Sequence, residues 1–383
     1  MLTISLFRYS LFCVNIKIRV LSQSLVTKEL SATSVTFSEC GITVYSNGRK
    51  ILLDPNRGID CDLVFVSHAH TDHLIRSCKK ILSSRKTKTL TSRETSMIAH
   101  ARGFRIDDVT QEYDGFQLVN TGHILGSKGL LIGDDLYYTG DISVRERAFM
   151  KPAFIPKADT LIIESTFGRP EYVFPDLREV IDRTNRIISE MYSRGVPVIL
   201  LGYPLGKAQL LTELFSHWDP LYVDDSIYRM NCLYKDLGVS LKESIQVSLA
   251  EKTGLLMRQK PWLMISPLGR SKTTWLLDIK EKYGAITIGF SGWAVNHRYR
   301  CFMGTDYAMP ISDHCDFQEL IDVVKLCNAK KIYTFHGYSS DFAQSLRKMG
   351  FDAEPIQQKR KRQVKKDRSS RFPDYSLDDY INK

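Results

Sequence analysis

Short apolar runs rich in β-branched residues alternate along this chain with longer segments in which apolar positions return every third or fourth residue. The first kind of pattern fits strands and the second fits amphipathic helices. Strands are expected at 35–37, 42–45 and 51–53, with Asn47-Gly48 between the last two as a hairpin turn. A buried strand follows at 63–66, a helix at 94–101, and further strands at 116–119, 129–132, 136–138 and 160–163. From there helices and strands alternate: helix 175–194, strand 198–201, helix 207–217, strands 262–266 and 286–289, helix 317–326, strand 331–335 and helix 340–348. The pattern is α/β, with a mixed first part and a more regular later part.

The strand at 63–66 runs into Ser-His-Ala-His-Thr-Asp-His, which places His68, His70, Asp72 and His73 on the loop at its end. Imidazoles and a carboxylate crowded on one loop suit a divalent cation such as zinc, which takes nitrogen and oxygen donors. Asp72 and His73 are sequence neighbours and cannot easily serve the same ion as His68 and His70. The run therefore suggests two adjacent metal positions.

This His-x-His-x-Asp-His pattern resembles the metallo-β-lactamase superfamily. His123 in Thr-Gly-His-Ile-Leu-Gly-Ser and Asp141 in Tyr-Tyr-Thr-Gly-Asp-Ile resemble its later ligand motifs. Glu164 in Leu-Ile-Ile-Glu-Ser-Thr-Phe-Gly, His314 in Ile-Ser-Asp-His-Cys-Asp and His336 in Tyr-Thr-Phe-His-Gly-Tyr resemble the β-CASP nuclease branch. The resemblance spans residues 33–355. It implies an αββα sandwich, at 33–169 and 309–357, split by an inserted α/β domain at 170–308, with an extension at 1–32 and a tail at 358–383. It also implies that His68, His70 and His123 hold one Zn2+, that Asp72, His73 and His336 hold a second, and that Asp141 bridges them, with Mn2+ or Mg2+ as alternative ions. A di-zinc-activated hydroxide would then cleave a phosphodiester, with Asp72, Glu164 and His314 catalytic and His314 the general acid.

Within that branch, Glu-Ser-Thr-Phe-Gly-Arg-Pro, Gly-Lys-Ala-Gln, Phe-Ser-Gly-Trp-Ala and His-Gly-Tyr-Ser most resemble ligase-associated DNA exonucleases, relatives of the Artemis and crosslink-repair nucleases. A 5′-to-3′ DNA exonuclease of repair is the expectation, with an RNA-processing nuclease as the alternative and a small-molecule metallo-hydrolase behind both. Ser165, Thr166 and Lys207 are candidate phosphate contacts. Gly202 to Lys207 imitates a phosphate-binding loop, but its glycines are too close for the Walker spacing and Ala208 stands where Ser or Thr is needed.

Charge sharpens the picture. The net charge is +10, and residues 359–371 alone carry +7, which leaves +3 for the rest. Lys359, Arg360, Lys361 and Arg362 are therefore expected to meet nucleic-acid phosphates through counterion release, and the resemblance makes DNA, before RNA, the implied partner. Farther on, Leu377 and Tyr380 loosely resemble the anchors of a sliding-clamp-binding peptide. No apolar run approaches the ~18 residues of a membrane span, so no membrane partner is expected. Eight cysteines without a Cys-x-x-Cys pair argue against a disulfide framework and fit a reducing cytoplasm.

Overall fold

Asn47 and Gly48 both take positive φ, 51° and 71°, the backbone that a tight two-residue hairpin demands. In the computed structural model, which describes residues 33–38, 41–55, 60–74, 87–271 and 273–356, this turn joins β2 (Gly41–Ser46) to β3 (Arg49–Leu53). With β1 (Ser34–Ser38), β4 (Leu63–Phe65), β5 (Lys88–Leu90) and β6 (Val109–Thr110), these strands form a first sheet in sequential order. The pairing changes from antiparallel to parallel at β3–β4.

A second sheet starts with the antiparallel strands β7 (Phe116–Asn120), β8 (Lys128–Ile132) and β9 (Leu136–Tyr138), and β10 (Thr160–Glu164) then adds in parallel. The chain next leaves to build a third, all-parallel sheet. Its strands are β11 (Val198–Gly202), β12 (Leu221–Val223), β13 (Ile245–Gln246), β14 (Leu263–Pro267), β15 (Ile286–Phe290) and β16 (Tyr307–Met309), in the order β13-β12-β14-β11-β15-β16. It then returns to complete the second sheet with β17 (Lys331–Phe335), directly beside β10, and β18 (Ala353–Pro355).

Strand alternation explains the layering. Ile51 and Leu53 point into a core shared by the first two sheets, where they meet Leu130, Tyr138 and Ile162, while Leu52 between them points outward to Ile98 and Ala99 of helix Arg93–Ala101. On the second sheet Ile162 faces inward, whereas Leu161 and Ile163 face out toward helices Phe317–Cys327 and Ser339–Lys348. The result is helix, sheet, sheet, helix. Each such side chain, fully removed from water, contributes roughly 1.5–3 kcal/mol. The third sheet is covered on both faces: Val198 and Leu200 go to one core, Ile199 and Leu201 to another. That double burial explains why the run reads as continuously apolar.

The helix expected at 175–194 runs Leu177–Ser193, with Asp176 accepting from Arg178 N–H as its cap. The helix expected at 207–217 ends at Leu214. Strand β12 and helices Asp225–Asp236 and Thr274–Tyr283 were not expected from the pattern. Among the described residues no helix is long and apolar enough to cross a membrane. The expectations for residues 1–32, for Lys359, Arg360, Lys361 and Arg362, and for Leu377 and Tyr380 lie outside the described residues.

Candidate metal centre

The ends of β3, β4, β9, β10 and β17 converge at one edge of the paired sheets. Asp54, just past β3, takes φ 41° and organises the loop after β4. Its carboxylate accepts from Ser67 N–H at 2.7 Å, Ser67 Oγ at 2.5 Å, the Tyr138 hydroxyl at 2.9 Å and His73 Nδ1 at 2.8 Å. Sequence reading missed this residue. Its only signal is a carboxylate at a strand end in Leu-Leu-Asp-Pro, far in sequence from the histidine run.

His68, His70, His73 and His123 are each anchored by one ring nitrogen, and the other faces inward. His73 Nδ1 donates to Asp54, and His123 Nδ1 donates to the Asp313 carbonyl at 2.9 Å. His70 Nε2 donates to the Leu205 carbonyl at 3.3 Å. Ser67 Oγ spends its proton on Asp54, so His68 Nδ1 donates to that oxygen at 2.9 Å. The free nitrogens then face one another: His68 Nε2 and His123 Nε2 lie 3.0 and 3.1 Å from His70 Nδ1. Asp141 Oδ2 lies 3.4 Å from His68 Nε2 and 3.5 Å from both His73 Nε2 and His123 Nε2, and its Oδ1 is 3.8 Å from His336 Nδ1.

Two donor sets result. His68, His70, His123 and Asp141 form one, and Asp72, His73 and His336 form the other, with the ligand atoms of each within 4.8 Å of one another. His73 Nε2 and Asp141 Oδ1 are buried with no hydrogen-bond partner. Buried polar atoms are ordinarily satisfied, and divalent cations would satisfy these. The nitrogen–oxygen donor chemistry and the anchored outer nitrogens fit such ions.

Electrostatics divide the donors: burial opposes a charged His73, but Asp141, Asp54 and Asp72 outweigh it and hold the ring well above its ordinary value, while His68, His70 and His123 go the other way. Burial first, and then the neighbouring imidazoles, hold His68 and His123 well below their ordinary value, so both stay neutral and able to ligate. Burial works against the Asp141 carboxylate, but His73, His314 and His68 outweigh it and hold the group well below the usual carboxylate range.

Glu164, at the end of β10, is fully buried and accepts from His314 Nδ1 at 2.8 Å and Ile142 N–H at 2.8 Å. Burial disfavours a charged His314, yet Glu164 and Asp141 outweigh it and raise the imidazole to about 9. Glu164, His314 and Asp141 also place ligand atoms within 4.8 Å of one another. His314 thus stands beside the two donor sets, anchored by Glu164 and held toward its charged form.

The candidate phosphate contacts are placed differently. Lys207 is buried and donates to the Ile311 carbonyl at 2.9 Å while pairing with Asp313 at 3.0 Å. Arg147 meets the other Asp313 oxygen at 3.0 Å and donates to the Gly122 and His123 carbonyls. The Lys207 ammonium is an internal counter-charge and does not face solvent. Ser165 is fully buried, with its hydroxyl on the Phe335 and His336 carbonyls, so it too departs from the expectation of an open phosphate contact. Thr166 is half-buried, and its hydroxyl donates to Glu164.

No family model matches the chain. It is 32% identical over 300 residues to a probable DNA ligase of Opitutus terrae, a match covering 76% of this chain and 28% of that protein. It is 29% identical over 257 residues to an RNase J-like protein of Methanocaldococcus jannaschii, covering 54% of this chain and 60% of the relative. The chain thus spans less than two thirds of either relative. A crystal structure of a protein of unknown function from Enterococcus faecalis V583 shares the fold, with a TM-score of 0.55 at 14% identity over 87% of this chain and 98% of the other.

Proposed function

The chain belongs to the β-CASP branch of the metallo-β-lactamase superfamily, and from that premise we infer that it is a metal-dependent nuclease, a 5′-to-3′ DNA exonuclease of repair in the first instance. We assign the two paired sheets with their outer helices, residues 33–169 and 309–357, to the metallo-β-lactamase domain, and 170–308 to the β-CASP insert. The pairing of His314 Nδ1 with the buried Glu164 at 2.8 Å, beside two converging donor sets, carries this reading.

Divalent cations, zinc in our assignment, supply an activated water at neutral pH and neutralise charge on the phosphodiester. The chain's own residues do the rest. Asp54, Ser67, Leu205 and Asp313 fix the outer ring nitrogens, so the inner ones are aimed before any ion arrives. Glu164 holds His314 by Nδ1 and keeps it protonated, leaving Nε2 to deliver a proton to the departing 3′ oxygen as the phosphorus–oxygen bond breaks. Among the described residues the free cysteines Cys61, Cys232, Cys301, Cys315 and Cys327 fit a reducing cytoplasm.

The relative named as a probable DNA ligase, matched over 76% of this chain, favours DNA. The RNase J-like relative supports the second reading, RNA end processing. Matched 5′-phosphorylated single-stranded DNA and RNA oligonucleotides, labelled at either end, decide between them, with the His70→Ala protein as control. Stepwise shortening of DNA from its 5′ end, with RNA slower, is the expected result. Preferential RNA cleavage moves the chain to RNA processing, and cleavage of neither overturns the nuclease reading.

A further inference from the structure

The hydrogen-bond ladder between β10 and β17 ends where Glu164 faces Phe335. One residue later the Ser165 hydroxyl continues it in another form, its single proton shared between the Phe335 and His336 carbonyls, each at 2.7 Å. The Ser165 carbonyl in turn accepts from Tyr338 N–H at 2.9 Å. Ser165 therefore grips the turn 335–338 from both sides, and it is fully buried.

That turn has unusual backbone. His336 takes φ 59° and Gly337 φ 50°. A positive φ is uncommon for a residue with a Cβ and persists only where the surroundings impose it. A Cβ on Gly337 would lie 2.4 Å from Thr166 Cα and 2.5 Å from the Ser165 carbonyl, so the two backbones approach as closely as glycine permits. The His336 ring is 30% exposed and meets His73 and Phe335 edge-on, so its direction is set by its backbone together with these two rings.

We propose that Ser165 is a positioning residue for the second metal position: its hydroxyl locks His336 in the left-handed conformation that aims the imidazole at Asp141. The inference rests on the two-cation reading above. It gives the Glu164–Thr166 stretch a double duty, since Glu164 sets His314 while Ser165 sets His336.

Titration of metal-free protein with Co2+ alone, followed calorimetrically and by its visible spectrum, tests this without reference to activity. Wild type takes up two equivalents. Ser165→Ala binds the first as wild type does and the second at least ~10-fold more weakly, as loss of an outer partner to a ligand does, and His336→Ala shows the same second-site loss. Far-UV circular dichroism and the first equivalent report on folding. Should the alanine variant not fold, Ser165→Gly, which also lacks the hydroxyl, makes the same comparison. Wild-type affinity for both equivalents in a folded hydroxyl-less variant overturns the role of Ser165 and leaves the metal reading intact. A wild type that binds no Co2+ overturns both.

Discussion

Lys207 and Asp313 meet at 3.0 Å inside the protein, joining the helix after β11 of the third sheet to the segment that carries His314. Asp313 is also the residue whose carbonyl orients His123. A single ion pair therefore ties the third-sheet unit to His123 of the first donor set and to the segment of His314. The removal of one partner from a buried pair leaves the other charge uncompensated and costs about 3–5 kcal/mol. Because Arg147 still faces Asp313, Lys207→Met is expected near the lower end, about 3 kcal/mol, by chemical denaturation.

The same variant separates an internal role from a phosphate contact. If Lys207 touched nucleic acid, its loss would reduce the slope of log affinity against log salt by ~0.7 for a single strand. The burial of its ammonium predicts an unchanged slope together with reduced turnover. A flattened slope in Lys207→Met would return this residue to the phosphate backbone.

The Glu164–His314 pair predicts a pH dependence. His314 is raised above its ordinary value of 6.5 to about 9, because Glu164 and Asp141 outweigh the burial that opposes its charge. The stabilisation from this pair is fully present below pH ~6.5 and is lost as pH rises through about 9. Glu164→Gln removes the main counter-charge, so the His314 imidazole should titrate at lower pH, read from its ring resonances in metal-free protein. An unmoved titration would show that Glu164 does not hold the proton.

Asp54 predicts an effect on metal retention. It holds His73 Nδ1 and, through Ser67, His68 Nδ1. Asp54→Asn keeps the size but weakens both anchors. Its metal affinity should fall ~10–100-fold, measured as metal content after dialysis against graded chelator. Full retention at every chelator concentration would reduce Asp54 to a packing role.

Much of this was legible in the sequence because its signals are local. Short, uniformly apolar runs at 51–53 and 161–163 mark strands covered on both faces, and the histidine run announces a donor cluster. What was not legible is long-range. Asp54 acts on residues on the far side of a different strand, and Ser165 acts on a turn near the end of the fold. Lys207 reads from sequence as a candidate phosphate contact, because nothing in its own segment reveals Asp313. Strand β12 is only Leu221–Val223, too short for a period to declare itself.

The return of the chain to β17, beside β10, also sets an order of assembly. As the polypeptide leaves the ribosome, His68, His70, His123 and Asp141 are all present once β9 has emerged, whereas His336 follows only after the whole third sheet has been made. Through that interval β10 has an open edge, and unpaired strand edges invite wrong partners. The third sheet, whose strands pair only with one another, can fold during the wait, and synthesis itself then delays the second donor set until the third sheet exists.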